Sequence, residues 1–285
     1  MDDQGSPTDP AHAVDPSNAA QERAWDGTEG ELWAVHADLL EQVFVRYDGA
    51  LLDAAGIAPG TRVLDIGCGT GSLTRAAARR AAPGPVVGVD LSAVMVDVAR
   101  ARAADLGNVT FLRADAQVHP FPHAGFHAVV SRAGASFFGD PPAAFANLAR
   151  ATAPGGRLAL LTWQAPARNE WFVEITTALA GRPFAGPPPG VPSPFALADP
   201  DVVTTLLGGA GFTDVQVADV REPALFGRDP VAARDVMATL LGWLLDGRDA
   251  DKARASLLET MQAHDGPDGV AFGSAAWLVT AARTG

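Results

Sequence analysis

The stretch Val63-Leu64-Asp65-Ile66-Gly67-Cys68-Gly69-Thr70-Gly71 constrains the fold more than any other part of the chain. Apolar β-formers run into glycines at alternate positions, and a helix-like segment, Ser72 to Ala82, follows. This is the pattern of a buried parallel strand ending in a loop that a ligand approaches closely. A glycine there takes φ > 0 or lets the ligand touch main-chain N–H groups. The dinucleotide fingerprint G-x-G-x-x-G would need glycine at position 72, where Ser72 stands. Asp65 lies just ahead of the loop, where a carboxylate would repel a pyrophosphate but suit a cationic ligand.

The rest of the chain continues the strand–helix rhythm. Val86 to Asp90, Val109 to Arg113, Phe126 to Val130 and Arg157 to Trp163 read as strands. Ser92 and Asp140-Pro141 read as helix starts, and Pro154-Gly155-Gly156 as a helix stop. Helix Asp199–Gly209, strand Thr213–Val220, helices near 230–246 and 250–263 and a strand Ala275–Ala281 follow. The expected fold is α/β, a doubly wound parallel sheet. Residues 1–20, rich in Asp, Pro, Ser and Ala, read as a disordered tail. Residues 21–60 read as an N-terminal helical lid, in which Val35, Leu39, Val43, Tyr47 and Leu51 recur every four residues as one amphipathic helix. The core is then 61–163, the cap insertion 164–198 with its Pro/Gly-rich loop, and the second half of the core, with further cap helices, 199–285.

Composition narrows the function. A formal net charge of −12 and a pI near 4.8 argue against general binding of nucleic acid or anionic membrane, both of which need basic surface. The single cysteine, Cys68, excludes an intramolecular disulfide and a cysteine metal cluster. In a glycine loop it reads as a small residue packing beneath a cofactor rather than a nucleophile. His119, His123 and His127 have four-residue spacing, but Pro120, Pro122 and Gly125 forbid the helix that would gather them, so no metal is expected there. With no apolar leader and no long apolar run, the expectation is a cytoplasmic chain.

Ligands of doubly wound sheets bind at the carboxyl ends of the strands. The second strand delivers Asp90, 19 residues beyond Gly71, where a carboxylate can accept both hydroxyls of a ribose, with Leu91 next to it. The third delivers Asp115 and Ala116, and the fourth Ser131-Arg132-Ala133-Gly134. A ligand-like feature at each of these consecutive strand ends is the strongest functional signal in the chain.

The Asp-x-Gly-x-Gly-x-Gly loop resembles motif I of the class I S-adenosylmethionine (SAM) methyltransferases. Trp25 to Trp33, Ser131–Phe138, Pro154-Gly155-Gly156-Arg157, Asn169-Glu170-Trp171, Phe195 to Pro200, Ala210-Gly211-Phe212 and Ala276 to Thr280 resemble the small-molecule branch akin to the ubiquinone/menaquinone-biosynthesis enzymes. The similarity covers about residues 22–284 and departs from many relatives at His127, where they carry Asp. It implies a seven-stranded Rossmann-like sheet with its last strand antiparallel, an N-terminal helical lid and a cap after strand 5. It also implies that Asp115 and the Ala116 N–H read the adenine edge. The cofactor set is then Trp33, Asp65, Gly67, Cys68, Gly69, Gly71, Asp90, Leu91, Asp115, Ala116 and Ser131.

Candidate catalytic bases are Glu170, which follows the fifth strand, and His36 and Tyr47 on the lid. Tyr47, Arg132, Asn169 and Trp171 are candidates for holding the acceptor, although Tyr47 also falls on the apolar stripe. The expected activity is SAM-dependent methylation of a small molecule, in specialised (secondary) metabolism, at carbon of an apolar, isoprenoid-like acceptor or at oxygen or nitrogen. A diphosphate on the acceptor would call on Arg132, Arg168 and Arg182, with Mg²⁺ assisting. A SAM-binding protein that transfers no methyl group is the alternative, and an NAD-linked oxidoreductase the third reading. Homo-oligomerisation stays open.

Overall fold

The computed structural model describes residues 13–188 and 190–284. The chain opens with a 3₁₀ turn, Pro16–Asn18, followed by α1 (Ala19–Trp25), α2 (Thr28–Val35), α3 (Ala37–Leu40), a second 3₁₀ turn at Glu41–Val43, and α4 (Val45–Ala54). The alternating core comprises β1 (Val63–Ile66), α5 (Ser72–Ala81), β2 (Val86–Asp90), α6 (Ala93–Arg102), β3 (Val109–Arg113), β4 (Phe126–Arg132), α7 (Pro141–Ala151) and β5 (Thr152–Trp163). After it come α8 (Glu170–Ala180), α9 (Pro200–Gly209), β6 (Thr213–Val220), β7 (Pro223–Leu225), α10 (Pro230–Leu240), α11 (Ala250–Ala263), β8 (Asp265–Gly266), β9 (Gly269–Gly273) and β10 (Ala276–Ala282).

Seven strands form one sheet in the order β3-β2-β1-β4-β5-β10-β6, with β10 antiparallel to both of its neighbours. The order reverses between β1 and β4, which opens a crevice at their carboxyl ends. The helix starts legible in the sequence cap as expected: the side chains of Ser92, Asp140 and Asp199 accept from backbone N–H groups of Met95, Ala143 and Asp201. Apolar cores lie on both faces. One joins α4 and α5 to α8, α10 and α11; the other holds α7 and α9, with Phe145, Leu148 and Leu207 fully buried.

Four local readings change. The tail of 1–20 extends outside the described residues up to position 12, but from Pro16 onward the chain is helical and docked. The apolar stripe from Val35 to Leu51 is not one helix, because the chain breaks at His36 and Phe44. A four-residue step overshoots the helical turn by about 40°, so one straight helix would wind such a stripe off the core. The breaks keep Leu40, Val43, Tyr47 and Leu51 buried while leaving Val35 76% exposed. The Pro154-Gly155-Gly156 stop lies inside β5, which begins at Thr152 and shifts register against β4 between Phe126 and Ala128. Finally, β7, β9 and β8 form a small antiparallel sheet that no alternating pattern announces.

Candidate functional site: acidic strand ends around a glycine loop

The loop after β1 adopts left-handed backbone at Gly67, Gly69 and Gly71, with φ of 63°, 52° and 81°. Two of these glycines serve different ends. A Cβ on Gly67 would stand 2.7 Å from the Cα of Gly134, so the loop and the turn after β4 touch backbone to backbone. A Cβ on Gly69 would meet only Met95 Sδ, at 3.9 Å, which leaves that face open to a ligand. Cys68 turns its side chain away, into a cluster with Val96, Ala99, Ala103 and Phe111 of α6 and β3, and burial pushes its thiol pKa well up. Its contribution to a ligand is therefore limited to backbone.

Three carboxylates stand at or just beyond the ends of the neighbouring strands β1, β2 and β3. Asp65 is 1% exposed and accepts a 2.6 Å hydrogen bond from Thr74 Oγ1. Burial raises its pKa to about 7, against which the Thr74 bond and the Arg132 charge act. Among the described residues no cationic side chain forms an ion pair with it, so a cationic ligand would relieve the burial penalty. Asp90 sits across β2, accepting from the N–H groups of Gly69 at 2.8 Å and Ser92 at 3.0 Å. It fixes the loop from a half-buried position, and burial raises its pKa as well. Asp115, also 1% exposed, accepts from the Asp15 N–H at 3.0 Å, Asn18 Nδ2 at 2.8 Å and the Gln117 N–H at 2.9 Å. A carboxylate offers about four acceptor positions. Asp115 therefore retains one, roofed by the N-terminal turn.

The lid is pinned to this edge by residues the sequence reading did not single out. Glu41 accepts from Thr70 Oγ1 in the glycine loop at 2.6 Å and pairs with Arg75 and Arg102. Asp26 accepts from the Ala93 N–H at the start of α6, at 2.7 Å, and pairs with Arg113 at 2.6 Å. Asn18 bridges Asp115 and the Gly139 N–H. Asp26 lay within the Trp25–Trp33 stretch that carried the resemblance; Glu41 and Asn18 had no local signal. Trp33, expected at the cofactor, is half-buried and stacks edge-on against Trp25 at 6.0 Å. Leu91 is half-buried beside Asp90, its carbonyl accepting from Arg113 Nε at 3.4 Å, and Ala116 is buried behind Asp115.

Several expected site residues are put to other use. Ser131 donates to the Ile66 carbonyl at 2.8 Å and accepts from the Ala135 N–H, joining β4 to β1. Tyr47 is fully buried, with its hydroxyl 2.6 Å from Ser274 Oγ and bonded to the backbone of Glu222. Asn169 is fully buried and holds the Ala275 N–H, Trp171 Nε1 and the Gln164 carbonyl. Trp171 packs among Trp163, Phe172, Phe195 and Phe226. Arg132 pairs with Asp48 at 2.7 Å and lies 5.1 Å over the Phe44 ring. Its charge is neutralised there, whereas half-exposed Arg168 stands 3.7 Å from Asp219, a carboxylate that also pairs with Arg221 at 3.0 Å, so one of the three cations expected to hold a diphosphate is withdrawn.

The candidate bases also lie aside. Glu170 accepts from the Gly273 N–H at 2.5 Å and faces His264, while His36 is the half-exposed joint between α2 and α3. His127 accepts from the Arg62 N–H at 3.2 Å at the far end of the sheet. There it lines a cavity of about 540 Å³ with Gly60, Gly155 and Arg157, remote from the glycine loop.

With this geometry in place, residues 63–156 match the family model of a methyltransferase domain. The glycine loop and the strands around it are thus similar to a methyltransferase domain. The chain's similarity to nocamycin O-methyltransferase of Saccharothrix syringae is 34% identity over 58% of this chain and 64% of that one. To the ubiquinone/menaquinone C-methyltransferase of Pseudomonas aeruginosa it is 38% over 41% of this chain and 48% of that one. The chain thus spans about half to two thirds of these relatives' length. The fold is similar to phosphoethanolamine N-methyltransferase 2 of Haemonchus contortus, solved with S-adenosyl-L-methionine: TM-score 0.58 and 19% identity over 96% of this chain and 61% of that one. The donor set fits S-adenosyl-L-methionine, with which that neighbour was solved. A buried carboxylate with no ion-pair partner among the described residues suits its cationic end, the half-buried Asp90 its ribose, and an acceptor with an adjacent N–H its adenine edge. No helix among the described residues is long and apolar enough to cross a membrane.

Proposed function

We propose that the protein transfers a methyl group from SAM to a small, apolar acceptor that carries no diphosphate, in specialised metabolism. The observation that carries the reading is the row of Asp65, Asp90 and Asp115 at three neighbouring strand ends around the open face of Gly69. SAM supplies an electrophilic methyl group on a sulfonium. The chain's task is then to hold, orient and dry the reacting pair. Asp65 balances the positive end of the cofactor, and its ionisation is favoured once that charge arrives. Asp90 sets the loop and offers acceptors to the ribose. The Glu41–Thr70 and Asp26–Ala93 contacts hold the lid over the loop and exclude water.

The apolar surroundings of the site support this acceptor class. Rings of Phe44, Tyr47, Trp163, Trp171, Phe172, Phe195 and Phe226 run continuously beneath the cap. The neighbouring Arg132 is already neutralised, which favours an uncharged acceptor. With Glu170 anchored to Gly273, alignment and desolvation carry the transfer without that carboxylate as base. The names of the relatives, which include O- and C-methyltransferases, support a small-molecule acceptor and leave the methylated atom open.

Calorimetric titration with S-adenosylhomocysteine and, separately, NADH tests the cofactor; micromolar binding of the first alone is expected, and binding of NADH alone would overturn it. Incubation with methyl-labelled SAM and a panel of apolar phenols, quinols and isoprenoids then tests transfer. SAM binding without transfer to any of them would favour the non-transferring reading. Glu170→Gln should retain turnover; its abolition at unchanged SAM affinity would restore that residue as the base.

A further inference from the structure

Away from the glycine loop, three metal-ligating side chains from distant parts of the chain converge. Glu170 and Glu174 stand four residues apart on α8 and therefore share a face. His264 follows the last turn of α11. One ligating atom from each lies within 4.8 Å of the others. His264 Nε2 is 3.7 Å from Glu170 Oε1 and 3.6 Å from Glu174 Oε2.

Each of two groups is aimed by a second bond on its far side. His264 Nδ1 lies 3.0 Å from the Thr260 carbonyl, and because a carbonyl only accepts, Nδ1 carries a proton there. In the neutral ring this leaves the lone pair on Nε2, directed at the two carboxylates. The ring is held flat against Phe272, with centroids 4.0 Å apart. Glu170 Oε2 accepts from the Gly273 N–H, which turns Oε1 toward the histidine. A ligating imidazole tied through its other nitrogen, and a ligating carboxylate tied through its other oxygen, are the outer supports that metal ligands carry.

We propose that Glu170, Glu174 and His264 form a binding site for a divalent transition-metal cation of the zinc class, which joins α8, α11 and β9. The spacings of 3.6 and 3.7 Å are too long for charge-assisted hydrogen bonds, which run about 2.7–2.9 Å. They lie close to the ~3.4 Å edge between ligands about 2.1 Å from a tetrahedral ion, so a small inward turn of the carboxylates closes the site. One imidazole nitrogen with two carboxylate oxygens suits zinc or its first-row neighbours better than magnesium or calcium, which take all-oxygen sets. Glu170 and Glu174 are 46% and 42% exposed, so water completes the coordination. The site is independent of the cofactor reading, since none of its groups touches the loop or the acidic strand ends. The histidine spacing in the sequence pointed to 119, 123 and 127; the convergent histidine is His264, brought to Glu170 by tertiary packing.

The test uses the full chain, tag-free and stripped with chelator. Titration with ZnCl₂ should give saturable binding of one ion per chain and raise Tm by several degrees. His264→Ala and Glu174→Gln should each weaken binding at least about tenfold and abolish the rise in Tm, with folding checked by circular dichroism. MgCl₂ should bind at least about tenfold more weakly. Should His264→Ala fail to fold, the exposed Glu174→Gln decides alone. No saturable heat in the parent protein, zinc affinity unchanged in the variants, or equal affinity for magnesium would each overturn the proposal.

Discussion

Replacing Asp65 by Asn isolates the most perturbed charge in the candidate site. The Asp65 carboxyl, 1% exposed, holds its proton to about pH 7 rather than 3.8. At about 1.36 kcal/mol per pH unit, that gap is a burial penalty of roughly 4 kcal/mol on the charged form. Because the folded-state pKa is raised, the folded protein binds the proton more tightly than the unfolded chain. Its contribution to stability is complete below pH ~4 and is lost as pH rises through about 7. Asparagine is neutral throughout and can still accept from Thr74. Urea denaturation of the two proteins from pH 4.5 to 8 should therefore give curves about 1 kcal/mol apart at the acid end that diverge as pH rises. The variant should be more stable by about 2–4 kcal/mol at pH 8. Affinity for SAM should move the opposite way: rising through pH 7 in the parent protein, flat and at least about tenfold weaker at pH 8 in the variant. Parallel stability curves, or a variant less stable than its parent at pH 8, would refute the argument.

Asp90→Ala removes the acceptor of the Gly69 and Ser92 N–H groups, and titration should show S-adenosylhomocysteine affinity reduced tenfold or more. Gly67→Ala places a Cβ against Gly134 Cα at φ 63°, where backbone cannot yield; chemical denaturation should register a loss of about 2 kcal/mol or more. Asn18→Ala leaves the Gly139 N–H unpaired and removes a donor to Asp115, and calorimetry should show about 1–3 kcal/mol of destabilisation. An unchanged Tm in that variant would remove the N-terminal turn from the fold.

What the sequence determined was local. A β-rich run ending in alternate glycines makes a buried strand and a tight loop wherever it occurs, and Asp or Ser ahead of an apolar period caps a helix. For that reason β1 to β4, α5, α7 and α9 and the acidic strand ends were legible without coordinates. The partners of those groups were decided by the tertiary structure alone. The sequence could not show that Asn18 would reach Asp115, 97 residues on, or that Arg132 would be neutralised by Asp48. Nor could it show that Asn169 and Tyr47 would be spent on buried hydrogen bonds, or that the lid stripe would break twice to stay on the core. Hydrogen bonds and ion pairs between distant segments depend on where packing brings the chain, and side-chain type and spacing carry no record of it. Glu170 illustrates the difference: its place after the fifth strand was plain from the sequence, but its direction, toward Gly273 and His264, was fixed by the elements that closed around it.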